Sequence, residues 1–329
     1  MRIFNLSIYF LLILFINIIN YSNSFIFNNF IKKNSKIVSC YKNVTSSLLQ
    51  KIPNYNIFNN FKEIENDKKH SDIMLKRFKN SMILNRFSLN HNDKKLITIT
   101  PGGLKGFYVL GICSYIKDNY NLSDYVFSGA SAGSWNSLFL SFKHDTKKIV
   151  DSIFDIEYDK AGSIFNVELM IKNKFITEFN DNDFDLDRVY IGSTIIDNCR
   201  LKSIVYSNFE SLEDAVDCCM GSSHIPFISG SLYFVYKDKI TFDGGISLYI
   251  NESPYLPTKI PSLIINPTLF KDDISNNESI DLCEFYRGYF DSLDINRITD
   301  VKSMFDEGYH NAMNNKEALD EIFEKKFIN

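Results

Sequence analysis

The sequence is sparing with the residues that interrupt regular structure. Its 329 residues include 14 glycines, 7 prolines and a single tryptophan, which excludes collagen-like and Pro/Gly-rich low-complexity chains. Cationic residues are not in excess either, because 36 Lys and Arg stand against 40 Asp and Glu, for a net charge of -4. The chain therefore lacks the basic field that nucleic-acid-binding domains use, and we expect no nucleic-acid partner. The composition predicts no particular oligomeric state.

Metal-binding cysteine and histidine patterns are also missing. The six cysteines form no CxxC pair, and no histidine stands at a zinc-ligand spacing from any of them. We therefore expect neither a metal nor another cofactor. Cys218 and Cys219 are adjacent on a predicted helix, where we expect small core residues. N-glycosylation sequons at Asn43, Asn121, Asn251 and Asn277 matter only if the chain stays in the secretory route.

Hydrophobic residues are what the chain has in quantity. They make up 45% of the sequence and charged residues 23%, a composition typical of globular proteins. Phe and Tyr are encoded by AT-rich codons, so the 29 Phe and 18 Tyr say little about function. Because glycine is scarce, a cluster of glycines indicates a site more strongly here than in an average chain.

The N-terminus has the pattern of a targeting segment. Arg2 precedes an apolar run over residues 8–19, and polar residues follow over 21–24. The run is shorter than the roughly 20 residues that span a bilayer. We predict a signal peptide or an uncleaved signal anchor over residues 1–24, with a buried N-terminal helix as a third interpretation. The chain is expected to enter the secretory pathway or endomembrane system, and secreted, membrane-anchored and plastid-targeted destinations all stay open.

Residues 25–94 differ in character from the rest of the chain. They are rich in Asn, Lys and Ser and show little periodicity. We predict a low-complexity extension or linker there, with a helix around Ser71–Phe87. The remaining residues, 95–329, are expected to form one domain, with a motif core over about 95–268 and C-terminal helices over about 284–326.

The first glycine cluster follows a predicted strand. The β-branched run Leu96–Thr100 predicts that strand, and an apolar helical face extends from Phe107 to about Asp118. A strand, a glycine-rich turn and a helix start can present backbone N–H groups to an anion, although a tight turn without a ligand fits as well. The cluster begins after Pro101 and comprises Gly102, Gly103, Leu104, Lys105 and Gly106.

A second predicted strand, Tyr125–Ser128, leads into a G-x-S-x-G motif, and a helical pattern follows over Trp135–Lys143. A serine nucleophile needs this arrangement, because it must stand on a sharp, strained turn where only small neighbours fit. The following helix directs the positive end of its dipole at an oxyanion. Ser131 is the candidate nucleophile, and its motif neighbours are Gly129, Ala130, Ala132 and Gly133.

The third block supplies a carboxylate. A predicted hairpin of strands, Leu232–Tyr236 and Lys239–Phe242, ends in Asp243, Gly244 and Gly245. A carboxylate at a strand end, followed by two glycines, can reach into a cleft and act as a base. An ordinary Asp-Gly turn is the competing interpretation.

The five histidines offer a competing base. A Ser131–Asp243–His310 triad would follow the chain order of α/β-hydrolases. His310, however, falls in a predicted helix, where we expect a surface position. His224 precedes Asp243 in the chain; it could line the mouth of a pocket, which the adjoining segment Ile225-Pro226 would also border.

Together the three blocks resemble the patatin-like phospholipase family of Ser-Asp dyad acyl hydrolases. They occur in that family's order, with the Gly-rich block close ahead of the nucleophile. Residues 222–227, which end in Pro-Phe, and the segment Glu307-Gly308-Tyr309 are also similar to it, so the resemblance covers about residues 95–315. Eight of the 14 glycines lie in or beside these blocks or in the Gly-Tyr pair.

The resemblance implies a three-layer α/β/α fold with a central, mostly parallel sheet. It also implies that Ser131 is the nucleophile and that Asp243 takes its proton without a histidine. Backbone N–H groups of the Gly-rich block would form the oxyanion hole, with Lys105 steadying that loop or meeting a lipid phosphate. The sequence departs from the family at Pro101, which replaces a glycine and has no N–H to donate.

The function that follows is a lipid acyl hydrolase, similar to phospholipases A and lysophospholipases. It would cleave carboxylic esters of membrane lipids through an acyl-enzyme on Ser131, in peripheral contact with a membrane surface. Two alternatives stay open: an α/β-hydrolase-type esterase with the His310 triad, and a catalytically inactive lipid-binding protein of patatin-like fold.

Overall fold

The structure, a computed structural model, describes residues 94–197, 200–226, 228–250, 252–257, 261–270 and 295–326. The predicted signal segment, the extension up to residue 93 with its helix, and part of the C-terminal helical region lie outside the described residues. So do the sequons at Asn43, Asn251 and Asn277. In the part of the chain that is described, no helix is both long and apolar enough to cross a membrane.

Seven strands form the sheet. They are β1 Lys95–Ile99, β2 Tyr125–Ala130, β3 Val189–Asp197, β4 Arg200–Tyr206, β5 Phe234–Tyr236, β6 Lys239–Phe242 and β7 Leu263–Ile265. The helices are α1 Gly106–Asn119, α2 Ala132–Leu140, α3 Thr146–Phe154, α4 Ile164–Glu178, α5 Leu212–Ser222, α6 Ile246–Tyr249, α7 Val301–Asn314 and α8 Lys316–Asp320. Short 3₁₀ turns cover Gly103–Lys105, Tyr158–Lys160, Asp181–Asp183, Leu186–Arg188 and Ile295–Asp300.

The sheet has the order β5-β6-β3-β2-β1-β7, and β4 also pairs with β3. β1 runs parallel to β2 and β7, and β2 runs parallel to β3, whereas β4, β5 and β6 pair antiparallel. The predicted α/β class is confirmed: the central sheet is mixed and mostly parallel, with helices around it in an arrangement consistent with three layers.

Two strands share one edge of β3. β4 occupies the other edge from Ile191 to Asp197, and a strand has only two edges along which it can pair. β2 therefore ends at the pair Ala130–Gly192, and β6, which runs the opposite way, ends at the pair Phe242–Thr194. The next residue of each strand leaves the sheet at almost the same point, and these two residues are Ser131 and Asp243.

The two faces of the sheet carry different side chains, because successive residues of a strand point to opposite faces. Ile97, Ile99 and Phe127 belong to the main core, which α1, α2, α5 and α7 complete. On the other face Leu96 and Val126 belong to a small cluster that includes Leu256, from the segment after α6. Both faces of the central strands are therefore buried, as for a parallel sheet.

Helices α1 and α7 cross in backbone contact. A Cβ at Gly111 would lie 2.0 Å from Phe305 O, and a Cβ at Gly308 would lie 1.9 Å from Tyr108 O. Next to this crossing, the rings of Tyr115 and Tyr309 meet edge to face, with their centroids 5.3 Å apart. The Gly-Tyr pair of the resemblance thus packs α7 onto the helix that follows the Gly-rich block.

Element boundaries differ from prediction in two informative places. α2 begins at Ala132, directly after Ser131, three residues earlier than the apolar pattern predicts. β5 begins at Phe234 rather than Leu232, because Ser231 Oγ donates to Tyr233 O at 2.7 Å and closes a local turn ahead of the strand. The prediction that Cys218 and Cys219 are core residues is confirmed, since both are fully buried free thiols.

Candidate active site

Ser131 stands in a strained backbone conformation between β2 and α2. Its φ is 54° and its ψ is -131°, a left-handed region that costs a non-glycine residue about 1–3 kcal/mol. The flanking glycines allow the turn to close. A Cβ at Gly129 would lie 2.1 Å from Gly133 O, and a Cβ at Gly133 would lie 2.3 Å from Ile99 O.

Hydrogen bonds hold the backbone of Ser131 on both sides. Its N–H donates to Ser222 Oγ at 2.8 Å, and Ser222 Oγ donates to Gly192 O at 2.6 Å. The carbonyl of Ser131 accepts from both the N–H and the hydroxyl of Ser134, at 2.8 and 2.6 Å. Ser222 therefore ties the turn to β3 and fixes the position of the Ser131 side chain.

Asp243, the residue after β6, is 1% exposed. Its N–H donates to His224 O at 2.7 Å, and its carbonyl accepts from Thr194 Oγ1 at 2.9 Å. Oδ1 accepts from the N–H of Gly245 at 2.7 Å. Oδ2 has no donor of good hydrogen-bond geometry among the described residues, although the Ser131 hydroxyl lies close enough to act on the carboxyl.

Burial makes the negative charge of Asp243 energetically unfavourable. Burial raises the pKa of its carboxyl to about 6, against the opposing effects of hydrogen bonds from the Ser131 side chain and the Gly245 N–H. Asp243 is thus ionised at neutral pH but is a stronger base than an ordinary aspartate. The neighbouring Tyr255 hydroxyl is also buried without a partner among the described residues, and burial together with the charge of Asp243 raises the pKa of this phenol.

The two glycines after Asp243 are required by close packing. A Cβ at Gly244 would lie 2.3 Å from Gly192 O, and a Cβ at Gly245 would lie 2.9 Å from Asp243 Oδ1. The ring of Pro101 packs beside Gly245, with its Cγ 3.1 Å from the position of that Cβ. The acid motif therefore contacts the Gly-rich block as well as the Ser131 turn.

The Gly-rich block forms a 3₁₀ turn with unused donors. Gly103 has φ 53°, and the N–H of Lys105 donates to Gly102 O at 3.1 Å. No described residue accepts from the N–H groups of Gly102, Gly103 and Leu104, as expected at the first turn of a helix. Pro101 removes none of these donors, because they belong to the residues after it. Lys105, which is half-buried, ends the turn.

The first two blocks are in direct contact. A Cβ at Gly106 would lie 2.8 Å from the Cβ of Ala132. The Asn136 side chain donates to Gly106 O at 3.1 Å and to Ala132 O at 3.0 Å, which ties α2 to the start of α1. Ser131 and the unused N–H groups of Gly103 and Leu104 thus border the same space.

That space is a cavity of about 110 Å³ beside Ser131. Its apolar lining comes from α1, α2, α3, α4 and the loop after α5, and consists of Leu104, Phe107, Leu110, Ala132, Trp135, Phe139, Ile153, Ile164, Val167, Ile171, Phe175 and Ile225, with Gly103 and Gly106. Four polar side chains complete it: Ser131, Asn136, Glu168 and Ser223. Ile225 borders the cavity, as predicted, whereas His224 is not among the lining residues.

Sequence reasoning missed Glu168. It is 7% exposed on α4 and lines the cavity. Burial raises the pKa of its carboxyl well above the ordinary value; the Ser223 hydroxyl opposes that shift, and the charge of Asp243 adds to it. A signal did exist, because Glu168 interrupts the apolar stripe Ile164, Val167, Ile171 and Phe175, which has helical spacing.

Neither His224 nor His310 lines the cavity. His310 is exposed on α7, as predicted, and its Nδ1 pairs with Asp306 O of the same helix at 2.7 Å. His224 is buried beside the Phe234 ring, and burial lowers its pKa. His224 Nε2 has no partner among the described residues. Neither imidazole contributes to the pKa of Asp243.

The chain matches no protein-family model and no curated protein. Within the described residues no group of three or more His, Cys, Asp and Glu side chains could hold a metal ion.

Proposed function

We propose that the protein is a serine acyl hydrolase of patatin-like type that cleaves carboxylic esters of membrane lipids. One observation carries the proposal: the strained Ser131 hydroxyl meets the buried carboxylate of Asp243 beside an apolar cavity. Backbone strain at a turn between a strand and a helix is characteristic of nucleophiles, and a base at its side is what an unactivated hydroxyl needs.

The reaction begins when Asp243 takes the proton of Ser131 and Oγ attacks the ester carbonyl. The negative oxygen of the tetrahedral intermediate is bound by the unused N–H groups of Gly102, Gly103 and Leu104, where one such donor stabilises the transition state by about 3 kcal/mol. Collapse breaks the ester bond, and the leaving alcohol takes the proton from Asp243. Water then repeats the sequence on the acyl-enzyme, and the fatty acid leaves.

The substrate class is supported by the cavity. Twelve apolar side chains and two glycines line it, so it favours an acyl chain over a polar acid. A phospholipid or lysophospholipid provides such a chain on a carboxylic ester and brings the protein to a membrane surface.

A fluorophosphonate probe tests the proposal, because it labels only activated serines. Wild type is expected to be labelled at Ser131, and Ser131→Ala to stay unlabelled. Asp243→Asn should react at least about 100-fold more slowly, because the general base is lost. His310→Ala, which alters an exposed helix residue, is the matched control and should react at the wild-type rate.

The same variants can be compared for hydrolysis of phospholipids and lysophospholipids in vesicles. We expect wild type and His310→Ala to be equally active, Asp243→Asn to be much slower and Ser131→Ala to be inactive. A normally reactive Asp243→Asn would contradict the dyad, and an inactive His310→Ala would favour the triad. A folded wild type that takes up no probe and cleaves no ester would instead indicate a lipid-binding protein without catalysis.

A further inference from the structure

Two polar groups in the cavity have no role in the proposed Ser-Asp chemistry. They are the carboxyl of Glu168 and the amide oxygen of Asn136, in a lining that is otherwise apolar apart from Ser131 and Ser223. Burying a polar group without a partner is costly, so an acyl pocket for a plain hydrocarbon chain gains nothing from either.

Glu168 fits its surroundings as a neutral acid. Among the cavity's lining residues none is Lys, Arg or His, so no lining cation balances a negative charge. The one hydrogen of the Ser223 hydroxyl is directed to Cys219 O at 2.8 Å, while Trp135 Nε1 donates to Ser223 Oγ at 3.1 Å. While Ser223 donates to Cys219 O, its Oγ can accept from the acid O–H of Glu168.

The environment of the carboxyl agrees with this assignment. Burial and, to a smaller extent, the charge of the neighbouring Asp243 raise the pKa of the Glu168 carboxyl well above its ordinary value, which favours the acid form. A neutral acid is both a donor and an acceptor, and it adds no charge to the apolar cavity.

Asn136 contributes an acceptor. It is 4% exposed, and its Nδ2 donates to two carbonyls, Gly106 O and Ala132 O. These two bonds fix the orientation of the amide and leave Oδ1 buried with no donor among the described residues. The cavity wall therefore holds one unused acceptor as well as the acid.

We propose that Glu168 and Asn136 make the cavity beside Ser131 selective for acyl chains that carry a hydroxyl group. A hydroxyl is a donor and an acceptor in one group, so it can pair with the acid of Glu168, with the amide oxygen of Asn136, or with both. A methylene satisfies neither. The inference rests on the proposed acyl hydrolase function and adds its substrate class.

Matched chromogenic esters test the proposed selectivity for hydroxylated acyl chains on the full-length protein. The p-nitrophenyl ester of decanoic acid is compared with those of hydroxydecanoic acids that carry the hydroxyl at each carbon from C2 to C10. At one or two adjacent positions the hydroxyl is expected to raise kcat/KM about tenfold, the effect of one good buried hydrogen bond.

Variants separate selectivity from folding. Glu168→Leu should bring the ratio of kcat/KM for the hydroxylated and plain decanoyl esters to about one, whereas the near-isosteric Glu168→Gln should keep part of the preference. Glu178→Gln, at the outer end of the same helix, is the matched control and should keep the wild-type ratio.

Ester cleavage through Ser131 with no preference at any hydroxyl position overturns this inference and leaves the proposed function standing. An unchanged preference in Glu168→Leu overturns it as well. Failure of wild type to cleave any ester, together with no fluorophosphonate labelling of Ser131, overturns the proposed function and this inference with it.

Discussion

Burial and hydrogen bonding act on the carboxyl of Asp243 in opposite directions, and burial dominates. Asp243 is 1% exposed, and the Ser131 and Gly245 donors recover only part of the lost hydration. The result is a base tuned upward from the ordinary aspartate pKa of about 3.9. The fold must therefore supply the free energy that keeps this charge in place.

Catalysis is expected to follow the ionisation of Asp243. If it is the base, kcat/KM for a soluble ester should rise with pH and reach half its maximum near the pKa of about 6. Glu168→Gln should leave this acid limb in place, because Glu168 is not among the groups that shift the pKa of Asp243. A rate that is flat from pH 4 to pH 8 would contradict the assignment.

The raised pKa of Asp243 also predicts how the free energy of unfolding depends on pH. The folded pKa of Asp243 lies above the unfolded one, so the group's stabilising contribution is full below pH 3.9 and is lost as pH rises through about 6. The free energy of unfolding of Asp243→Asn, relative to wild type, should rise by about 2–3 kcal/mol between pH 4 and pH 8. Urea unfolding followed by the fluorescence of Trp135, the single tryptophan, measures it. Asp159→Asn, at an exposed carboxyl, should show no such trend.

At the scale of helices and strands, the site depends on two places where backbone segments pack closely against each other. The shared edge of β3 brings the ends of β2 and β6 together, and the crossing of α1 and α7 holds the helix that follows the Gly-rich turn. Both depend on backbone atoms in contact, where a single added carbon has no space. Stability should therefore be sensitive to small residues at these points.

Gly308→Ala tests the helix crossing. Its Cβ would lie 1.9 Å from Tyr108 O, so one helix must move, and we expect a loss of about 3 kcal/mol in the free energy of unfolding. Ser303→Ala, on an exposed position of the same helix, should change it by less than about 0.5 kcal/mol. Urea denaturation of both variants measures these changes. Equal unfolding midpoints would mean that the helix crossing tolerates an added methyl group, contrary to the prediction.

Over the full chain, the elements that carry the candidate site lie within residues 94–326. The three motif blocks, the cavity lining and all seven strands belong to this part, and β1 begins at Lys95. Residues 1–90 belong to the predicted targeting segment and linker, so the site should not depend on them.

Deletion of residues 1–90 is therefore expected to leave the urea midpoint and the rate of fluorophosphonate labelling unchanged. The same deletion combined with Ser131→Ala controls for background reactivity. A large loss of either property would mean that the extension takes part in the folded domain.

Much of the site was predictable from local pattern. Ser131 and Asp243 each follow a strand and stand beside glycines, so a few consecutive residues contain the signal. Glu168, Ser222 and Tyr255 could not be placed in this way, because their importance comes from partners far away in sequence, such as the bond between Ser131 N–H and Ser222 Oγ. Pro101 has no N–H to contribute, but the N–H groups of the next three residues have no acceptor among the described residues and stay available as donors.

The sequence by itself determined the α/β class, the strand–turn–helix around the first two motifs, the surface position of His310 and the two residues proposed for catalysis, because these follow from hydrophobic periodicity and from the steric freedom of glycine. Only the tertiary structure decided that β2 and β6 meet end to end on β3, and that an acid and an amide oxygen without a partner among the described residues lie inside an apolar cavity. The physical reason is that burial and hydrogen-bond partners depend on distant segments, and burial raises the pKa values of both Asp243 and Glu168.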